Sequence, residues 1–316
     1  MTYALGTASW SAGTSFPATS VVESRTLNVS VDVGGLGAFT IRCKVTDPSS
    51  YTAGTISLFA GGDITGLHEQ FTYGPTIINT MVAAGWRVVQ LAFSSSAWVG
   101  TVGPLVLAGR GATALRALYD RADLHTVGLP FVVSGNSGGS SLIAYALAHY
   151  GCGDFIDHAV MTSGPPHGRL DLGSMGSRNP AWAALAPSYA NASSLLGYTS
   201  GATSGWTVDK SYSGTAAAGA VSVNAGMGGP SNVYFRDSVA GAGAAFSYPQ
   251  TACTFLYGSL DLSEAVPLGW GGYARLVSSA LTTITTLVGA NHALPDSTAG
   301  RDGVLAALQA AVYRHG

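Results

Sequence analysis

Pro130-Phe131-Val132-Val133-Ser134-Gly135-Asn136-Ser137-Gly138-Gly139-Ser140-Ser141-Leu142-Ile143-Ala144-Tyr145-Ala146-Leu147 decides how the rest of the chain is read. Pro130–Ser134 is a short apolar run with β-branched residues, bounded by glycine, and reads as a buried strand. Ser137–Tyr150 reads as a helix. Between them lies Gly135-Asn136-Ser137-Gly138-Gly139, a G-x-S-x-G turn. A chain with 43 glycines meets that pattern easily by chance, so the flanking strand and helix carry the signal. So abrupt a change from strand to helix forces unusual backbone angles at the serine. Gly135 and Gly139 leave room, because a Cβ at either would meet the neighbouring strand or helix. The helix start also offers unpaired N–H groups and a positive dipole end to an anion.

Outward from this turn, strands and helices alternate. Arg25–Asp32 and Phe39–Asp47 read as a hairpin around Gly34-Gly35-Leu36-Gly37. Thr55–Ala60 is a strand ending at Gly61-Gly62. Tyr73–Ala84 has Ile77, Ile78, Met81 and Val82 at helical spacing. Trp86–Phe93 is a strand, Leu105–Tyr119 a helix and Phe155–Thr162 a strand. Thr251–Tyr257 is a strand, followed by helix near Gly272–Ala280, strand at Leu281–Val288 and helix at Gly300–Arg314. Such alternation predicts one α/β domain over 1–316, a mostly parallel sheet with helices on both faces. Residues 165–250 break the pattern. Rich in Gly, Ala, Ser and Thr, they read as a lid-like or cap insertion over the carboxyl edge, where such sheets bind ligands.

Composition narrows the function classes. The 316 residues are 47% hydrophobic and 9% charged, with net charge −2. Average domains carry about 25% charged residues. Global disorder is excluded, since disordered chains are charge-rich and apolar-poor. Nucleic-acid binding is not expected, because the 14 basic residues are scattered and only Lys44 and Lys210 are lysines. No apolar run approaches the about 18 residues that span a bilayer. Cys43, Cys152 and Cys253 form no CxxC or Cys/His cluster, so no metal site is expected. Cys152 follows the Ser137 helix and Cys253 opens a neighbouring strand, both at the amino edge, an arrangement that admits a Cys152–Cys253 disulfide. Met1–Ser20 has no basic segment followed by an apolar core and is not an intact signal peptide. The Ser/Thr/Gly/Asn surface favours a secreted mature form over a cytoplasmic one.

At the serine turn the chain resembles the α/β-hydrolase superfamily, in its serine esterase and lipase-like members, with polyester hydrolases among them. The resemblance covers residues 25–316 apart from the insertion. It implies an α/β-hydrolase fold with Ser137 as nucleophile, followed in chain order by an acid and a histidine. Thr254-Phe-Leu-Tyr-Gly-Ser-Leu-Asp261 ends in the G-x-x-D of the acid position, so Asp261 is the implied acid. Glu264 nearby and Asp171 after the preceding strand are alternatives. Leu281–Val288 leads to Gly289-Ala290-Asn291-His292, which makes His292 the implied base. Of the seven histidines, only His292 follows both Ser137 and Asp261 with a helix still to come. The Gly138 amide is one implied oxyanion donor. The other is the Gly62 or Asp63 amide on the Gly61-Gly62-Asp63-Ile64 loop. Trp98, Trp270 and His68 fall on carboxyl-edge loops as candidate substrate contacts.

The implied activity is cleavage of carboxylic esters, small or polymeric, through an acyl-enzyme without metal or organic cofactor. Asn136 and Gly138 differ from the His, Trp or Tyr and the Met or Gln that flank the serine in many lipases and polyester hydrolases, which leaves the substrate open. The same triad would suit an amidase, peptidase or acyltransferase, and a hydrolase fold can also be a non-catalytic binding module. Two rival motifs fit less well. Gly-Asn-Ser-Gly-Gly resembles the serine segment of chymotrypsin-like proteases, which need an all-β setting with His and Asp upstream. Gly109-Arg110-Gly111-Ala112-Thr113-Ala114 resembles a dinucleotide fingerprint but lacks the following strand that ends in an acid.

Overall fold

The computed structural model describes residues 3–17, 20–176, 180–190, 197–198, 203–214 and 233–315. In chain order the elements are β1 (Thr7–Ala12), β2 (Arg25–Asp32), β3 (Phe39–Thr46), β4 (Gly54–Phe59), α1 (Gly74–Ala83), β5 (Trp86–Phe93), α2 (Pro104–Tyr119), β6 (Phe131–Asn136) and α3 (Gly138–Tyr150). They continue as β7 (His158–Thr162), α4 (Leu170–Met175), α5 (Pro180–Leu185), α6 (Thr203–Ser213), α7 (Val233–Asp237), β8 (Ser247–Gly258), α8 (Ala265–Trp270), β9 (Ser278–Leu287) and α9 (Thr298–Gln309). Strands β1–β9 join one sheet in the order β1-β2-β3-β5-β4-β6-β7-β8-β9. The first three and the β3–β5 pair are antiparallel, and every later pair is parallel.

The central strands are buried on both faces, which explains their near-continuous apolar runs. Side chains alternate across a strand, and here they feed two cores. Phe131 and Val133 of β6 pack with Leu105, Leu115, Leu142 and Ile143 of α2 and α3. Val132 between them packs on the opposite face with Ile77, Ile78, Val304 and Leu308 of α1 and α9. Removing a large apolar side chain from such a position costs about 2–5 kcal/mol.

Most expected elements form within a few residues of their predicted ends, but β1 and the Gly272–Ala280 region do not follow the sequence pattern. β1 was not expected: its residues Thr-Ala-Ser-Trp-Ser-Ala are almost all exposed at the sheet edge, so no apolar alternation marks it. The helix expected over Gly272–Ala280 is a single 3-10 turn at Ala274–Leu276, and β9 begins at Ser278. Its Thr and Ile residues are stiff at χ1 and suit a pleated backbone, and pairing with β8 from Ser247↔Ser278 to Gly258↔Leu287 fixes them there. The helix of this region lies earlier, at Ala265–Trp270. Gly109 and Gly111, the dinucleotide-like pair, lie inside α2. A Cβ at Gly111 would collide with Leu142 of α3, and one at Gly109 would come 2.8 Å from the Tyr150 hydroxyl. These glycines let two helices approach and form no phosphate-binding turn.

Among the described residues, helices α4–α7 lie between β7 and β8, within the expected 165–250 excursion. Positions 177–179, 191–196, 199–202 and 215–232 of that excursion lie outside the described residues. Among the described residues no helix is long and apolar enough to cross a membrane.

The Cys152–Cys253 disulfide admitted by the sequence is absent: Cys43, Cys152 and Cys253 are all free and buried. Burial pushes the Cys43 and Cys253 thiols up to about 12 and raises Cys152 as well, so all three are protonated near neutral pH and unreactive. A thiol reagent should therefore find almost nothing in the native protein and three groups per chain after denaturation without reductant. A single titrating thiol in the denatured, unreduced protein would contradict the structure.

Candidate active site

The turn between β6 and α3 holds Ser137 at φ 50°, ψ −110°. L-residues rarely adopt such angles, and the strain is of order 1–3 kcal/mol. Neighbouring bonds fix it. The Ser137 amide donates to the Thr162 carbonyl at 2.8 Å, and the Ser137 carbonyl accepts from the Ser141 amide at 3.0 Å and the Ser140 hydroxyl at 2.5 Å. The Thr162 hydroxyl donates to Asn136 Oδ1 at 2.8 Å, tying the turn to β7. A Cβ at Gly135 would lie 2.7 Å from the Gly139 carbonyl carbon, and one at Gly138 would strike the Gly62 carbonyl oxygen. The serine turn and the Gly61–Gly62 loop are thus packed backbone to backbone. Ser137 is 9% exposed.

Asp261 and His292 follow the carboxyl ends of β8 and β9, the same sheet edge that carries Ser137. Their loops are joined by hydrogen bonds from the Ser259 amide to Leu287 (3.0 Å) and from the Leu260 amide to Ala290 (2.9 Å). His292 Nδ1 lies 2.8 Å from Asp261 Oδ2. An ionised carboxylate only accepts, so Nδ1 carries the proton and the opposite ring nitrogen, Nε2, is left as a base. Asp261 Oδ1 accepts from the Ser263 amide at 2.9 Å and the Ser263 hydroxyl at 2.7 Å. Asp261 is 1% exposed. Burial alone would raise its pKa, but the hydrogen bond and charge of His292, with the two Ser263 bonds, outweigh it and hold the carboxyl below the ordinary value of 3.8. Burial likewise pulls His292 down, yet the Asp261 hydrogen bond and charge, helped by Glu264, lift it above 6.5.

The alternative acids are engaged differently. Asp171 is gripped by both forks of Arg169, at 2.8 and 2.7 Å. Glu264 precedes α8, and its charge raises the pKa of His292.

The loop after β4 approaches the serine turn from the other side. A Cβ at Gly61 would lie 3.7 Å from Ser137 Cβ. Gly62 and the β-branched Ile64 both have positive φ, 57° and 59°. The Gly62 carbonyl accepts from Trp98 Nε1 at 3.0 Å, and the Asp63 carbonyl from the Ala97 amide at 3.0 Å. A trans peptide sets the Asp63 N–H opposite the Gly62 carbonyl, so the Trp98 ring fixes the direction of that N–H. The Gly138 amide lies in the first turn of α3, where N–H groups have no intrahelical acceptor.

The three candidate substrate contacts differ in burial. Trp98 is fully buried, edge-on to His167 at 4.6 Å between ring centroids. His68 is 2% exposed, packed against Phe71, and burial pushes its pKa down to about 4. Both have packing partners inside the protein where a substrate wall was expected. Trp270 is half-buried between Tyr257 and Tyr189, at 5.3 and 5.9 Å. Two further residues join the site: Ser263, marked in the sequence by its place two residues after Asp261, and Lys210, whose Nζ lies 2.7 Å from Asp63 Oδ2 across 147 positions, for which no local signal exists. Among the described residues, no group of three or more His, Cys, Asp or Glu is gathered as metal ligands.

No protein-family model and no curated protein matches the sequence. Structural neighbours do exist. Est1E from Butyrivibrio proteoclasticus aligns over 89% of this chain and 99% of its own, with TM-score 0.53 and 12% identity. A bacterial heroin esterase aligns over 90% and 82%, with TM-score 0.54 and 16% identity. A puromycin-hydrolyzing peptidase of Mycobacterium tuberculosis aligns over 94% of this chain and 40% of its own, with TM-score 0.54 and 12% identity. The chain has the α/β-hydrolase fold.

The Asp261–His292 pair predicts a titration with two limits. The raised His292 pKa contributes stability fully below about 6.5 and loses it as pH rises through the folded value. The lowered Asp261 pKa contributes above about 3.8 and loses it as pH falls through the folded value. NMR titration of His292 should give a midpoint above 6.5, and Asp261→Asn should move it down. A midpoint at or below 6.5 in the wild type would contradict the pairing.

Proposed function

We propose that this protein is a serine hydrolase that cleaves carboxylic esters through an acyl-enzyme. The observation that carries the reading is the His292–Asp261 hydrogen bond at 2.8 Å, on the sheet edge that also bears a serine in a strained turn. Ser137 Oγ attacks the ester carbonyl carbon, and His292 Nε2 takes the hydroxyl proton. The carbonyl electron pair moves onto oxygen, held by the Gly138 amide and by the Asp63 or Gly62 amide. The intermediate collapses, the C–O bond to the alcohol breaks, and His292 returns the proton to the leaving oxygen. Water then repeats the sequence on the acyl-serine, releasing the acid. Asp261 holds the Nδ1–H tautomer and stabilises the imidazolium.

Support for esters comes from the esterase neighbours. The peptidase neighbour keeps amide cleavage as the second reading of the same residues. The α4–α7 segment is read as a cap beside this edge. Its Lys210 reaches Asp63 on the loop beside Ser137. A small or polymeric neutral ester is the proposed substrate.

Hydrolysis of p-nitrophenyl acetate, butyrate and octanoate tests the reading. Wild type should turn over at least one of them, and Ser137→Ala should lose at least about 10³-fold in kcat. His292→Ala should lose a similar factor. Full activity in Ser137→Ala would overturn the assignment.

A further inference from the structure

The loop between β4 and α1, residues 60–73, holds both ends of an unusual set of contacts. Near its start, Asp63 is bound by the Ser96 hydroxyl at 2.6 Å and by Lys210 Nζ at 2.7 Å. Near its end, Glu69 is bound by Lys44 Nζ at 3.0 and 2.8 Å and by Gln90 Nε2 at 3.2 Å. The Glu69 amide in turn donates to Gln90 Oε1 at 2.9 Å. Lys44 lies on β3 and Lys210 on α6. They are the two lysines of the chain, and each is paired with a carboxylate of this one loop. Lys44 and Glu69 are 0% and 4% exposed at their side chains, Lys210 and Asp63 9% and 32%.

Between the two pairs the backbone is strained at Ile64, a β-branched residue at φ 59°. Such a conformation persists only when its surroundings over-determine it. Asp63, whose amide is one of the two alternative oxyanion donors, directly precedes that residue. A lysine ammonium is a point charge that tolerates variable approach, unlike the planar fork of arginine. It can hold a carboxylate at the end of a bend without dictating the plane of approach.

We propose that Lys210 and Lys44 are positioning residues for the reaction: each clamps one end of the 60–73 loop through its carboxylate, so that the loop amide faces the developing oxyanion. This rests on the acyl-enzyme reading above. It makes α6 part of the support of the oxyanion hole, through an ion pair made by a segment that supplies none of the three triad residues. Neither lysine touches the reacting atoms. Their effect belongs to the transition state, where the oxygen becomes charged, and it should appear in kcat more than in KM.

Ester hydrolysis by the full chain tests the proposal. Lys210→Met and Asp63→Asn should each lower kcat about 10- to 100-fold, the scale of a small misplacement, with KM changed by less than about threefold. The double variant should be no worse than either single one, because the pair acts as a unit. Lys210→Arg, which keeps the charge but imposes a planar fork, should recover part of the lost rate. Lys44→Met/Glu69→Gln, which removes both charges together and strands neither, should also lower kcat. If Lys210→Met fails to fold, Asp63→Asn carries the same test, because it keeps the backbone amide and the side-chain volume. Folded variants with wild-type kcat and only a lowered Tm would reduce the lysines to structural ties and overturn the proposal. An inactive Ser137→Ala beside that result would leave the acyl-enzyme reading standing. A fully active Ser137→Ala would overturn that reading and the lysine assignment with it.

Discussion

A non-glycine residue held at positive φ, at the point where β6 turns into α3, constrains everything built around it. Ser137 cannot relax without breaking the bonds of its backbone to Thr162 on β7 and to Ser140 and Ser141 on α3. The tight turn brings α3 so close to β4 and its loop that glycine is required at 138 and 139. The same closeness sets Gly61 and Gly62 beside the serine, so the strained turn and the neighbouring loop form one packed object. Strain of this size survives only inside a well-ordered frame, and the two apolar cores on either face of the sheet provide it.

Charge is used sparingly in this molecule. With 9% charged residues, few side chains are left for solubility, and several of the rest hold loops in place. Lys44–Glu69 and Lys210–Asp63 brace the loop after β4, while Arg169–Asp171 and Arg236–Asp237 tie residues of the segment between β7 and β8. Buried pairs contribute little net stability compared with apolar packing, because desolvation opposes their attraction. Their best use is to select one geometry. Asp261 follows the same logic with neutral donors: Ser263 satisfies one oxygen and His292 the other.

The parts of this architecture that were legible in the sequence are those written locally. Val132 and Val133 facing opposite cores give a continuous apolar run, and the run flows into the serine turn. Gly258-Ser-Leu-Asp261 and Asn291-His292 each follow a strand, so chain order alone put both on one edge, though not in contact. What escaped was written in tertiary contacts or hidden at edges. The exposed face of β1 has no alternation to detect. The Thr-rich β9 follows a segment whose weak helical pattern extended too far. Trp98 on a carboxyl-edge loop suggested a substrate wall, but its indole N–H is spent on the Gly62 carbonyl. Lys210 and Asp63 are separated by 147 positions, and their pairing depends on where α6 folds back.

Ser137 is proposed as a nucleophile activated by its surroundings. Treatment of the native protein with a fluorophosphonate, followed by peptide mass spectrometry, tests it most directly. Irreversible phosphonylation reports nucleophilicity whatever the natural substrate. A single adduct on Ser137 is expected, formed much more slowly in His292→Ala. No adduct, or an adduct on another serine, would contradict it.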